Sequence, residues 1–350
     1  MSTSTLTNTA WRLPSAGAGV SGLKKVSEPR PSPLPHQYLV RIHAVSLNFR
    51  DVAIVYGLYG TSVKENIVLG GDLAGEIVEA GSATTKLKVG DRVTANFIPE
   101  HYYGPSGGGR ASLGGSVDGT LQEYRVFDEM ALLLAPAYLS YEELSCFPIA
   151  GVTAWNALLG GGTPLRPGQT ALFQGTGGVS VFGLQIAHAA GARTIITSSS
   201  DEKLALAKTL GATHVINYKT TPEWDKEVKL LTKDVGAHHI LDNVGAAEIE
   251  RCFGAVARGG TISNIGILGG TEPAKTVNIP LLALRSSSQM RGVLVGPKVQ
   301  FEELLAFADV HHIRPHIHKI FAFNELPAAL EYLKSEQHFG KVVVKVGSEQ

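Results

Sequence analysis

The chain has 350 residues, 44% of them hydrophobic and 18% charged. That is enough apolar material for two cores at about 150 residues per domain, and too much for intrinsic disorder. The 31 Lys and Arg balance the 31 Asp and Glu, so there is no global positive field to hold a nucleic acid or an anionic membrane.

No apolar stretch approaches the ~20 residues of a membrane-spanning helix, and the N-terminus carries no basic and apolar leader. The two cysteines, Cys146 and Cys252, lie far apart. These features predict a cytoplasmic chain with free thiols. Residues 1–130 read as β-rich, with strands such as Tyr38 to Ser46, Gly75 to Glu79 and Asp91 to Thr94 between Pro, Gly and Asn turns. The glycine-dense stretch from Gly104 to Gly115 reads as a mobile surface loop, with an active-site lid as the alternative.

From Pro167 apolar strands alternate with helices. The strands are Thr170 to Phe173, Thr194 to Ser198, His214 to Asn217, His239 to Asn243, Thr261 to Ile265 and Gln289 to Val295, with helices starting near Gly178, Ser200, Pro222, Ala246 and Pro297. This order predicts a doubly wound parallel sheet. Phe321 to Gly347 returns to short strands that close the first domain. The expected boundaries are therefore 1–135, completed by 310–350, for the β-rich domain and 136–309 for the dinucleotide-binding domain.

After the first parallel strand comes Gly175-Thr-Gly177-Gly178-Val179-Ser180, leading into a helix. Gly175 and Gly177 permit a tight turn and close backbone approach to a pyrophosphate, while the helix N-terminus supplies free N–H groups and a favourable dipole. Ser180 stands where the simplest pattern has its third glycine. The second strand ends in Ser198-Ser199-Ser200, without the Asp or Glu that bonds the ribose 2′-hydroxyl in NAD sites. Ser198, Ser199, Lys203 and Tyr218 offer an anion-friendly pocket and favour NADPH over NADH. Ser200 also reads as the N-cap of the next helix.

With these residues in view the chain resembles the medium-chain dehydrogenase/reductase superfamily, and within it the zinc-lacking quinone oxidoreductase and NAD(P)-dependent alcohol dehydrogenase-like branch. The resemblance is carried by Ser46-Leu-Asn48-Phe-Arg-Asp51, Gly70-Gly-Asp-Leu-Ala-Gly75, Val89-Gly-Asp-Arg-Val93, Gly151-Val-Thr-Ala-Trp155, the glycine turn, Leu210-Gly-Ala212, Asn217-Tyr218 and Gly340-Lys341. It implies an α/β fold in which a GroES-like β-rich catalytic domain joins a doubly wound Rossmann domain.

The resemblance also assigns roles. It places Asn48 beside the nicotinamide ribose and carboxamide, Thr153 near the nicotinamide ring, and Gly177, Gly178 and Val179 around the pyrophosphate. Asn243, Ile265 and Gly266 line the other side of the cofactor, and Lys341 closes over it. Zinc members carry a Cys near position 48, a Gly-His-Glu near 70 and a Cys or Asp near 149. This chain has Asn48, Gly70-Gly71-Asp72 and Ile149, so no zinc or other metal is expected. His43, His101, His311, His312, His316 and His318 are read as surface or structural residues.

Hydride transfer without a metal must stabilise the developing oxyanion by hydrogen bonds. That requirement favours quinones and α,β-unsaturated carbonyl compounds, which spread the charge. Asn48, Tyr56 and Tyr59 are candidate donors, with Asp51 orienting them. The two tyrosines read equally as packing residues one helical turn apart.

The expected function is NADPH-dependent, zinc-independent reduction of such small-molecule acceptors. The alternatives are an NAD(P)-dependent alcohol dehydrogenase, a reductase of a biosynthetic intermediate, or an NADPH-binding protein without catalysis. The edge strand, with Met290, Val293, Leu294 and Val295, predicts a homodimer.

Overall fold

The structure is a computed structural model describing residues 6–60, 62–105, 111–270 and 277–347. It divides into two units, Met1–Ala150 with Pro297–Gln350, and Gly151–Gly296. Among the described residues no helix is long and apolar enough to cross a membrane.

The first unit opens with strands β1 (Thr7–Leu13) and β2 (Lys24–Pro29) and a long central strand, β3 (Gln37–Leu47). There follow helix α1 (Phe49–Val55), strands β4 (Ile67–Val68), β5 (Ala74–Ala80), β6 (Arg92–Ala95), β7 (Tyr124–Asp128) and β8 (Leu132–Leu134), and the short helix α2 (Tyr141–Leu144). β1 pairs with β2 and β4 in a small antiparallel sheet. β3 is the spine of the larger sheet. It pairs with β5 on one edge and with β7 on the other, and it is buried along most of its length.

The second unit begins with α3 (Val152–Leu158) and β9 (Thr170–Phe173), then alternates α4 (Gly178–Ala189), β10 (Arg193–Ser198), α5 (Asp201–Thr209), β11 (His214–Asn217), α6 (Trp224–Leu231) and β12 (Ala237–Asp242). It ends with α7 (Ile249–Ala255), β13 (Val256–Asn264), α8 (Ile279–Ser286) and β14 (Gln289–Gly292). The six strands run parallel in the order β11-β10-β9-β12-β13-β14. This is the doubly wound order, which places a crevice at the carboxyl ends of β9 and β12. Leu172, Ile195, Ile240 and Ile262 from the strands meet Trp224, Val228 and Phe253 from α6 and α7 in its core, each large side chain contributing about 1.5–3 kcal/mol on full burial.

The chain then returns to the first unit through α9 (Lys298–His311), β15 (Ile317–Ala322), α10 (Leu326–Lys334) and β16 (Lys341–Lys345). β16 pairs antiparallel with the end of β3 and parallel with β15.

The units meet the chain at different points from the sequence boundaries of 135 and 309. α2 packs on β3 and β5, and the Tyr138 hydroxyl lies 2.8 and 2.7 Å from the carbonyls of Ala308 and Ile313. The Lys298 N–H donates to His101 O at 2.7 Å. These bonds bind residues 136–150 and 297–309 to the first unit.

Three further expectations change. The closing segment contains a helix, α10, as well as strands. The edge strand stops at Gly292, before Val295 turns to a left-handed φ of 49°. The glycine-dense stretch lies at 106–110 outside the described residues, but Leu113, Gly114 and Gly115 beyond it are buried. A Cβ on Gly114 would sit 2.6 Å from Gly70 O, so this end is packed against the backbone and is not a surface loop.

Candidate active site

β9 delivers the chain to the glycine turn at the sheet's switch point. Gly175 has φ +72°, and a Cβ built on it or on Gly177 meets no atom within 4 Å. Gly177 N-caps α4 without a side-chain bond, and no acidic residue occupies the first turn. The N–H groups of Gly178 and Val179 therefore open an uncapped, positively poled helix end onto free space, which fits a dinucleotide pyrophosphate.

Gln174 fastens this turn. Its Oε1 accepts from the N–H groups of Asn243 and Val244 at 3.2 and 3.4 Å, and its Nε2 donates to Cys252 Sγ at 3.2 Å. Its carbonyl accepts from Ser180 Oγ and Asn243 Nδ2 at 2.7 and 3.2 Å. Asn243 Nδ2 also donates to Ser180 Oγ at 2.9 Å. The carboxyl ends of β9 and β12 are thus cross-linked through the Gln174 and Asn243 side-chain amides. Ile265 and Gly266 follow β13 and donate their N–H groups to Asp242 O. A Cβ on Gly266 would press to 2.4 Å from Asn243 O. Thr153 is buried in α3, which packs on α4 and β12.

A close helix-to-strand approach occurs at Gly183, where a Cβ would lie 2.6 Å from the Phe173 ring. Ser180 is a hydrogen-bonding member of the turn instead.

At the end of β10, Ser198 is buried and Ser199 half-buried. Ser200 caps α5, accepting from the Lys203 N–H at 3.3 Å. The Tyr218 N–H donates to Ser198 O at 3.1 Å, so Ser198, Ser199, Lys203 and Tyr218 gather at one corner. Asp201, the nearby carboxylate, accepts from Asn217 Nδ2 at 2.7 Å.

The first unit holds a second polar cluster, where β3 ends and α1 begins. The Asn48 N–H donates to Asp51 Oδ2 at 2.9 Å. The Asn48 side chain faces elsewhere: Nδ2 donates to Asp72 Oδ2 at 2.8 Å and Oδ1 accepts from Lys341 Nζ at 2.7 Å. Asp72 is fully buried and also accepts from Ser46 Oγ and from the Ile149 N–H. Lys341 Nζ further donates to Leu47 O at 2.9 Å and lies 3.4 Å from Asp72 Oδ2.

One buried carboxylate and one buried ammonium so balance, with both oxygens of Asp72 accepting at least one hydrogen bond. Burial pushes the Asp51 carboxyl above its ordinary value, against the pull of Arg50 at 3.1 Å. Burial pushes the Cys146 thiol up to about 12, which leaves it protonated and unreactive. A Cβ on Gly71 would lie 2.8 Å from both Ile149 Cδ1 and Phe97 Cδ2, so apolar side chains fill the space beside the cluster. Positions 48, 71 and 149 thus present an engaged amide, no side chain and an aliphatic chain, a donor set unlike the thiolates and imidazoles of a zinc site. Among the described residues no three His, Cys, Asp or Glu side chains form a metal-holding group.

The two tyrosines are not brought to this cluster, and α1 does not carry them one turn apart. α1 ends at Val55, because Gly57 turns to φ +72°. The Tyr56 hydroxyl donates to Glu331 of α10, and the Lys334 ammonium lies over its ring. The glutamate pushes the Tyr56 phenol up to about 12. Tyr59 stacks on the Arg50 guanidinium, which also faces Phe97. Asp51 bonds neither tyrosine directly; it holds Asn48 N and Arg50, and Arg50 in turn faces Tyr59.

Sequence reasoning missed Gln174, Ser46 and the role of Asp72. Asp72 lies inside the apolar run from Ile67 to Ile77, and Lys341 precedes Val342-Val343-Val344. Charges set in apolar runs need partners when buried, and that signal could have paired them.

Residues 34–137 match the family described as alcohol dehydrogenase GroES-like domain, and residues 178–309 match zinc-binding dehydrogenase. A zinc-type alcohol dehydrogenase-like protein of Schizosaccharomyces pombe is 41% identical over 317 residues, covering 89% of this chain and 91% of that protein. A quinone oxidoreductase of Pseudomonas aeruginosa is 30% identical over 321 residues, covering 89% and 92%. The crystal structure of an NAD-dependent alcohol dehydrogenase superposes with a TM-score of 0.86 at 30% identity, covering 97% of this chain and all of that one. With the fold, the glycine turn and these similarities together, the chain belongs to the medium-chain dehydrogenase/reductase superfamily and is an NAD(P)-dependent oxidoreductase.

Proposed function

We propose that this oxidoreductase interconverts an alcohol and its carbonyl compound, prefers NADPH, and works without a bound metal. The similarity of 41% to a zinc-type alcohol dehydrogenase-like protein carries the choice of substrate class, against 30% to a quinone oxidoreductase. It moves the leading reading from quinones and enones, expected from the sequence, to alcohols and aldehydes or ketones.

When bound, a nicotinamide would supply or accept the hydride, and the alcohol's hydroxyl proton would be exchanged with solvent. The chain's own residues do the rest. Gly175, Gly177, Gly178 and Val179 admit the pyrophosphate to backbone N–H groups, and Gln174 with Asn243 keeps the turn in place. Thr153, Ile265 and Gly266 line the nicotinamide half. Ser199, Lys203 and Tyr218 take the 2′-phosphate, while the Asp201 carboxylate accepts from Asn217. Asn48 belongs at the reacting end. Metal-free operation is supported by Asn48, Gly71 and Ile149, which offer zinc no thiolate or imidazole.

Those same three residues favour a second reading, reduction of quinones or α,β-unsaturated carbonyls, whose delocalised product anions need no Lewis acid. Following NADPH and NADH absorbance with an alcohol and aldehyde panel, a quinone and an enone separates the two. Higher kcat/KM on an aldehyde, with NADPH preferred, is the expected result. Turnover of the quinone or enone alone would establish the second reading, and no turnover on any acceptor would refute both.

A further inference from the structure

The resemblance assigns Lys341 to the cofactor, yet its side chain is turned inward. It heads β16, where a Cβ on Gly340 would lie 2.3 Å from His316 O, so glycine is needed to bring the lysine into place. Lys341 is 3% exposed. Its ammonium has three protons, and three acceptors surround it: Leu47 O, Asn48 Oδ1 and Asp72 Oδ2. Asp72 in turn takes the nitrogen of the same Asn48 amide. The two opposite charges grip the amide by its oxygen and its nitrogen. A flipped amide would set its NH2 against the ammonium and its carbonyl against the carboxylate.

We propose that Lys341 and Asp72 are positioning residues, a buried ion pair that fixes the orientation of Asn48, so that a built-in ammonium organises this end of the site where zinc relatives use a metal. The inference rests on the reading that Asn48 faces the reacting atoms.

The test compares Lys341→Met, Asp72→Asn and the double variant with the wild type, by Tm, kcat and KM. Lys341→Met leaves a buried carboxylate unpaired; its Tm falls, and kcat falls about 10- to 100-fold as Asn48 shifts, while KM for NADPH changes little. The neutral double variant recovers Tm but not kcat. Recovery of kcat together with Tm would make the pair merely structural. A large rise in KM for NADPH at unchanged kcat would make Lys341 a cofactor ligand. Either result overturns the proposal.

If the wild type reduces only a quinone or enone, the proposed function fails while the variant series still tests the pair on that acceptor. A crystal structure of Lys341→Met needs no substrate. A rotated or displaced Asn48 amide is expected, and an unmoved one overturns the inference.

Discussion

Replacing Gly177 separates cofactor binding from stability. Its backbone, φ −78° and ψ −178°, is one that any residue adopts, and its Cβ would enter space with no atom within 4 Å. Gly177→Val therefore adds neither clash nor backbone strain to the free protein, and Tm stays within a few degrees of wild type. The same space is where a pyrophosphate reaches the α4 N–H groups. Forcing it outward forfeits two charge-assisted hydrogen bonds at about 1.5–3 kcal/mol each. That is ~3–6 kcal/mol, or a 10²- to 10⁴-fold loss of affinity. Gly175→Ala is the control. At φ +72° an L-residue costs about 1–2 kcal/mol, so this variant loses Tm as well as affinity. Titration calorimetry with NADPH and NADH, beside thermal melts, measures both effects. A folded Gly177→Val that binds NADPH like the wild type would refute the cradle.

Four other outcomes are expected. Lys203→Ala should weaken NADPH by about 10- to 100-fold, the worth of one charge-assisted bond, and leave NADH nearly unchanged; equal losses would remove the 2′-phosphate pocket. Tyr56→Phe should leave kcat within about twofold, because the hydroxyl serves Glu331; a large loss would return Tyr56 to catalysis. Burial pushes His239 down to about 4, so above pH 6.5 it is neutral folded or unfolded. Between 6.5 and 4 only the unfolded chain takes up the proton, and stability falls with pH by up to ~3 kcal/mol. His239→Gln should flatten that limb of a denaturation series, and an unaltered limb would assign the loss elsewhere. Finally, β14, the outermost strand of its sheet among the described residues, with Leu284, Met290 and Leu294 exposed, should pair with a second copy. Light scattering should give twice the 37.1 kDa chain mass, and a monomer would contradict it.

The second unit was legible in the sequence because parallel strands buried on both faces leave short apolar runs, and the turn between β9 and α4 needs glycine at set positions. The ends of β12 to β14 were less so: His239 to Asn243 became Ala237–Asp242, since ladder pairing fixes the limits and apolar texture does not. In the first unit, β1 and β2 escaped notice, since their paired residues Thr7 to Leu13 and Lys24 to Pro29 are largely polar. The residues of the cluster were visible singly, Asn48 in its motif and Lys341 after Gly340. Their meeting was not, because β3, the loop before β5 and β16 come together across 293 positions of sequence between Asn48 and Lys341. Tyr56 and Tyr59 misled because helix spacing was extended through Gly57.

We propose that this NAD(P)-dependent oxidoreductase needs no metal. The most direct measurement is metal analysis of the purified protein before and after dialysis against a strong chelator, with NADPH-dependent aldehyde reduction assayed on the same samples. Metal far below one ion per chain and equal turnover in both are expected. One zinc per chain, with activity lost on chelation and restored by zinc, would contradict it.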